Sequence, residues 1–307
     1  MRAGTGRTVG HGSVAVALVA ASLVAGTGPA RADGPHAPVL VAAASLHDES
    51  PEKEVTVRCP GATLVFSAGG GVGGSAGGTG QVVVTAVVPD VGLTTVTVRA
   101  VARTGQRGPW SVVGQAICEA SGSALRRAVG TAVGEYTATA TCGPGTKVWG
   151  TGFRVTGDPD HVAVAEVVPD PGLTKVAVGV TSDGPPTEVT AYAICRAQTG
   201  TMRRVAAVSP DGAGWPRSVT VADTADARIY GVGGRAGGGP HAYLDALVLR
   251  PSGAGGGVRA ALAAPIRAAA ATGVRPGPRP ADGTGVATTD GTDDETVVYG
   301  ILAGSFH

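Results

Sequence analysis

Two cysteine pairs sit inside two copies of one sequence pattern, and this repeat constrains the fold more than any other feature of the chain. The first copy opens Glu54-Val55-Thr56-Val57-Arg58-Cys59-Pro60-Gly61 and closes Gln115-Ala116-Ile117-Cys118. The second opens Thr137-Ala138-Thr139-Ala140-Thr141-Cys142-Gly143-Pro144-Gly145 and closes Tyr192-Ala193-Ile194-Cys195. Between the cysteines, Val65-Phe66-Ser67-Ala68-Gly69 matches Val148-Trp149-Gly150-Thr151-Gly152. Val87-Val88-Pro89-Asp90-Val91-Gly92-Leu93-Thr94 matches Val167-Val168-Pro169-Asp170-Pro171-Gly172-Leu173-Thr174 with one difference in eight positions. A fixed-period self-match of this kind marks a structural unit that is used more than once. Four cysteines allow three pairings, and the repeat selects Cys59–Cys118 with Cys142–Cys195.

A third, degraded copy follows. Val219 to Asp223 stands where the opening strand stood, and Ile229 to Gly233 where Val148 to Gly152 stood. Tyr299-Gly300-Ile301-Leu302 stands where Tyr192 to Cys195 stood, so Asp223 and Leu302 replace the cysteines. This copy also carries an insertion at 253–290. Its residues 260–271 are rich enough in Ala for a short helix, and 273–285, rich in Pro and Gly, read as an exposed loop. The boundaries that follow are 54–120, 121–200 and 201–307, after a leader segment at 33–53.

Each unit reads as four β-strands. Val55, Val57 and Cys59 alternate with Thr56 and Arg58, and Val176, Val178 and Val180 alternate with Ala177, Gly179 and Thr181. Period two is the strand signature. Both cysteines of a unit fall on the valine-bearing face, which suits a bridge between first and last strands against the core. Pro-Asp-x-Gly between the middle strands predicts a turn, with Pro fixing φ and Gly supplying a positive φ. Aromatics are 4% of the chain, so the core is built from small aliphatic side chains and cross-links matter more than usual.

The first 32 residues have the order of a secretory signal: Arg2 and Arg7 with no acid, an apolar stretch at 14–25, a Gly-Pro breaker, then Ala30-Arg31-Ala32 before Asp33. The expected product, cut after Ala32, is secreted and extracellular, with no membrane segment. Removing Arg2, Arg7 and Arg31 takes the formal charge from +1 to −2. A nucleic-acid partner is not expected from such a balance.

The pattern Cys-Pro-x-Gly, Gly-x-Gly, an aromatic and Ala-x-Ala-Ile-Cys resembles the repeats of a group of secreted actinobacterial proteins. The match rests on Cys59 to Gly61, Cys142 to Gly145, Trp110 in Gly108-Pro109-Trp110, and the two Ile-Cys closures. The resemblance implies no particular chemistry. The repeat count, the repeat length and the Gly-rich aromatic strand also resemble the vitelline membrane outer layer protein family, whose three repeats form a three-sided β-prism. That likeness implies an all-β chain with pseudo-three-fold, prism-like symmetry; β-sandwiches are the alternative.

Few residues point to chemistry. The glycine run at 69–80 lacks the Lys-Ser/Thr of a phosphate loop and reads as an exposed loop. His161 in Gly157-Asp158-Pro159-Asp160-His161 reads as a turn residue before a strand. No cofactor is expected. Trp110 and Trp215, near Gly and Pro in loops, are the candidates for stacking on sugar rings. Asp290, Asp293 and Glu295 are the candidates for holding Ca²⁺. The expected function is a non-enzymatic binding or structural role, in its sharpest form binding of an extracellular glycan or cell-wall polymer. A secreted hydrolase using paired carboxylates is the alternative.

Overall fold

A computed structural model describes residues 38–73, 81–120, 124–182, 184, 188–198, 200–209, 218–222, 227–237, 242–249, 257–262 and 296–304. Trp215, Asp290, Asp293, Glu295, the signal-like segment and almost all of 253–290 lie outside these residues. The described chain is all-β. A first run of strands comprises β1 (Val39–Ala44), β2 (Glu52–Arg58), β3 (Thr63–Gly73), β4 (Val82–Pro89), β5 (Thr95–Ala102) and β6 (Ser111–Ala120). A second comprises β7 (Arg126–Val133), β8 (Thr137–Thr141), β9 (Thr146–Thr156), β10 (Val162–Pro169), β11 (Lys175–Ser182) and β12 (Glu188–Ala197). A third comprises β13 (Met202–Val208), β14 (Ser218–Ala222), β15 (Ala227–Arg235), β16 (Leu244–Leu249), β17 (Gly257–Leu262) and β18 (Val297–Gly304). Six strands per run replace the four that the period-two pattern predicts. The first strand of each run, such as Arg126–Val133, carries too mixed a pattern to stand out.

The strands form three antiparallel six-stranded sheets. Their orders are β1-β6-β3-β16-β17-β14, β7-β12-β9-β4-β5-β2 and β13-β18-β15-β10-β11-β8. Each sheet takes the first, sixth and third strands of one run and continues with the fourth, fifth and second of another. No run completes a sheet alone. The halves join at short seams: Ala86 and Val87 on β4 against Arg154 and Phe153 on β9, Glu166 and Val167 on β10 against Arg235 and Gly234 on β15, and Ala246 and Leu247 on β16 against Gly71 and Gly70 on β3.

The three sheets share one core. Phe66 on β3, Trp149 on β9 and Tyr230 on β15 are each the extra residue of a β-bulge, skipped by the ladder to the next strand. A bulge re-aims a side chain, and here all three rings turn to one point. Their centroids lie 5.8 Å (Phe66–Trp149), 5.0 Å (Trp149–Tyr230) and 6.3 Å (Phe66–Tyr230) apart, the first two pairs edge to face. Such pairs add about 0.5–1.5 kcal/mol each beyond the area they bury. The strands come so close there that a Cβ on Gly150 would sit 2.4 Å from the Phe66 carbonyl oxygen, and one on Gly231 2.4 Å from that of Trp149.

The Pro-Asp-x-Gly-Leu-Thr turns form as expected in place but not in mechanism. The positive φ falls on Leu93 (53°) and Leu173 (52°), not on the glycines before them. A left-handed leucine costs about 1–2 kcal/mol. Both side chains are fully buried, worth about 1.5–3 kcal/mol, which offsets it. The acid does the rest. Asp90 accepts from the N–H groups of Gly92, Thr94 and Thr95, and Asp170 from those of Thr174 and Lys175. Burial would raise the Asp90 carboxyl, but the hydrogen bonds from Thr95, Thr94 and Gly92 outweigh it and hold it below its ordinary value. Each turned leucine then offers its carbonyl to the next layer, to Val65 N–H and Val148 N–H, both at 2.7 Å.

Two further expectations change. The glycine run does not begin as a loop: Gly69, Gly70 and Gly71 lie within β3 and are buried, because glycine lets β16 approach. Residues 260–262 are strand, not helix, since β17 is hydrogen-bonded on both sides, to β14 and β16. Pairing on two edges overrides the helix propensity of alanine.

Candidate functional site

Both disulfides form as the repeat predicts, Cys59–Cys118 and Cys142–Cys195, each with Cα atoms 5.6 Å apart. Cys59 follows β2 and Cys118 lies in β6, in different sheets; Cys142 follows β8 and Cys195 lies in β12, again in different sheets. Each bridge therefore ties one sheet to the next. Leu302 takes the third place by register, facing Ile229 as Cys118 and Cys195 face Val65 and Val148, and it is fully buried.

Trp110 does not present a face to a ligand. It is 0% exposed. Its backbone pairs with Asp48 in both directions, and the Lys53 ammonium lies 5.1 Å from its ring centroid. Lys53 is buried too, bonded to the Asp48 carboxylate and to the Leu46 carbonyl. The Lys53 hydrogen bond holds the Asp48 carboxyl well below its usual range. The expectation of a sugar-stacking loop tryptophan is thus corrected at Trp110. Gly-Pro places it in a turn, but the strand-like bridge to Asp48 turns it inward. Trp149 is at the centre of the aromatic cluster. His161 sits in its turn with Nε2 3.9 Å from Asp158 Oδ2, and both side chains are more than half exposed.

A polar group that the sequence reading missed lies where the three runs meet again. Val83 on β4, Ala163 on β10 and Tyr243, just before β16, form one small buried cluster. By register these are the same place in three runs: Ala86, Glu166 and Ala246 follow three residues later at the seams. Two runs put an aliphatic side chain there and the third a tyrosine. The bulged residues two positions further on are Thr85, Ala165 and Asp245. Tyr243 is 0% exposed, Asp245 4% and Arg103, which follows β5, 7%. The Arg103 guanidinium lies 4.7 Å from the Tyr243 ring centroid. The Tyr243 hydroxyl is buried without a hydrogen-bond partner, and burial pushes its ionisation above the usual phenol range. The second run joins through Asp160, whose carboxylate accepts from Thr104 N–H (2.8 Å) and Thr104 Oγ1. Burial opposes ionisation of Asp160, but the Thr104 hydrogen bonds and then the Arg103 charge hold its carboxyl below the ordinary value. By register Tyr243 and Asp245 stand in the third run where Val83 and Thr85, or Ala163 and Ala165, stand in the others.

The chain matches no protein-family model and no curated protein. Among the described residues, no group of three or more His, Cys, Asp and Glu is placed to hold a metal ion, and no helix is long and apolar enough to cross a membrane. The two disulfides fit an oxidising compartment.

Proposed function

We propose that this is a secreted, non-enzymatic binding or structural protein built from three repeat units around a pseudo-three-fold axis. One observation carries the reading: every sheet has the same strand order by place in the run, and every sheet is shared by two runs. Units joined this way cannot move independently. The aromatic cluster, with one ring from each run at the same bulge, supports the axis. The sheets are wider than the four-stranded repeats of the vitelline membrane outer layer family, so that likeness lends the three-sided plan and not the strand count. Each run also splits its strands between two sheets that a bridge connects, which keeps the sandwich description of a single unit alive.

A rigid body with three similar outward sheets suits repeated contacts with a polymer. Binding of an extracellular glycan or wall polymer is the sharpest form of the proposal. The test is co-sedimentation of the mature protein with insoluble wall polymers, together with a glycan array and an assay for released sugars. Saturable binding without released product is expected. Release of soluble fragments would replace this reading with a hydrolase. Calcium at Asp290, Asp293 and Glu295 is a separate proposal, supported by the spacing of these acids alone; an unchanged melting temperature on adding Ca²⁺ would remove it. Secretion itself is checked by N-terminal sequencing of protein from the medium, where Asp33 is the expected first residue.

A further inference from the structure

The β4–β9 and β10–β15 seams join runs that follow one another in the chain. The β16–β3 seam joins the third run to the first and closes the ring. All three seams have the same form, a fourth strand against a third strand through two residue pairs. A fourth strand from a second copy would meet β3 with much the same backbone pattern. Heterologous pairing of this kind builds open chains or larger rings unless something distinguishes the partners.

Arg103, Tyr243 and Asp245 lie where that distinction is needed. Asp245 is the bulged residue next to Ala246, which pairs with Gly71 at the closing seam. Tyr243 occupies the place of Val83 and Ala163, and Arg103 of the first run covers its ring. Asp160 of the second run holds Thr104, the residue after Arg103. All three runs therefore contribute, and each contributes a different group. The buried Arg103 charge regains part of its lost hydration against the Tyr243 ring only in this arrangement, whereas aliphatic residues are satisfied by many partners.

We infer that the Arg103–Tyr243–Asp245 cluster is a latch of specificity: it makes the third run the only one that closes properly on the first, and so keeps the ring within one chain instead of admitting a unit from a second copy. The inference rests on the observed strand pairing and not on any ligand.

The test replaces the latch with the chain's own apolar solution. Tyr243→Val with Asp245→Thr copies the first run, and Arg103→Leu removes the charge left behind. Wild-type and triple-variant proteins are unfolded in denaturant with both bridges intact, refolded, and sized by light scattering. Wild type is expected to return as monomer. The variant is expected to melt at or above the wild-type temperature yet refold to a mixture containing dimers and larger species. A variant that refolds wholly to monomer overturns the inference. So does one that loses its melting transition, since the cluster would then be a source of stability and not of selection. Tyr243→Phe separates the two roles, because it removes only the unpartnered hydroxyl. It should leave both melting temperature and size unchanged, and a loss of stability there also counts against the latch.

Discussion

At the β4–β9 seam, Arg127 reaches from β7 across the Tyr192 ring (5.2 Å) and donates to the Pro89 carbonyl at 2.8 Å. At the β10–β15 seam, Arg204 on β13 does the same over Tyr299 (4.6 Å) to Pro169 at 3.1 Å. The closing seam has none of these residues. Leu40 stands in the arginine's register place, Gln115 in the tyrosine's and Leu249 in the proline's. There the polarity is reversed: Gln115 Oε1 accepts from Leu249 N–H at 2.7 Å. The difference follows from one atom. Proline has no N–H, so its free group is a carbonyl and the partner must be a donor. Leucine keeps its N–H, and here that group donates to the glutamine. Two solutions of opposite sign serve one backbone geometry.

The largest way to break the comparison is through the sulfur that the third run lacks. Cys142→Ala with Cys195→Ala gives the second run the unbridged state of the third. Its sequence separation of 53 makes the bridge worth about 4 kcal/mol in the chain-entropy model. A large drop in melting temperature is expected, and a drop of only a degree or two would mean that the seams alone hold the second run. Next comes the aromatic cluster. Gly150→Ala puts a Cβ 2.4 Å from the Phe66 carbonyl oxygen and 2.9 Å from the Ser67 Cα. Backbone cannot give way cheaply, so a loss of about 3 kcal/mol is expected, the upper range for overpacking. Ser67 occupies the same register place on β3, opposite Ile117 as Gly150 is opposite Ile194. Its hydroxyl is buried without a partner, so Ser67→Ala should be neutral or stabilising by up to about 1 kcal/mol. An equal loss at Ser67 would mean that its hydroxyl contributes to the packing there.

What was legible in the sequence was what is local or covalent. The bridges could be read because each joins the two ends of one sequence pattern, and the strands at 55–59 and 176–180 because valine alternates there. The left-handed Leu93 and Leu173 could not, because local preference points to the neighbouring glycine and only burial reverses it. Arg127 and Arg204 carry no local signal, since the prolines they cap belong to the preceding run. The Arg103–Tyr243–Asp245 cluster was invisible for the same reason: its parts come from runs one and three, and a repeat alignment shows substitutions without showing which of them meet.

Smaller effects test the seams themselves. Arg127→Ala and Arg204→Ala each remove a ring contact and a charge-assisted hydrogen bond, and should each cost about 2 kcal/mol. Gln115→Leu leaves the Leu249 N–H without its acceptor in a buried place, at about 1–2 kcal/mol. Chemical denaturation of the three variants checks the ranking. If Gln115→Leu is neutral while both arginine variants are damaging, the closing seam draws its strength elsewhere.

The smallest expected effect concerns the seam whose ladder pair includes a carboxylate. Glu166 stands where the other two seams have Ala86 and Ala246, and it pairs across the ladder with Arg235. Its side chain lies against Gly179, so closely that a Cβ there would meet its Cγ and Oε1 at 2.7 Å. Burial raises the Glu166 pKa, and the Arg235 charge only partly opposes it. A raised folded-state pKa means that the protonated form fits the seam better than the ion does. The fold therefore keeps this contribution below the unfolded pKa of about 4.3 and loses it as pH rises through the folded value. Glu166→Gln holds a neutral side chain of the same shape at every pH. It should raise the melting temperature slightly at pH 7 and change nothing near pH 4. A variant that is less stable at pH 7 would show that the Arg235 attraction outweighs burial, and would make the β10–β15 seam the only one of the three held by an ion pair across its ladder.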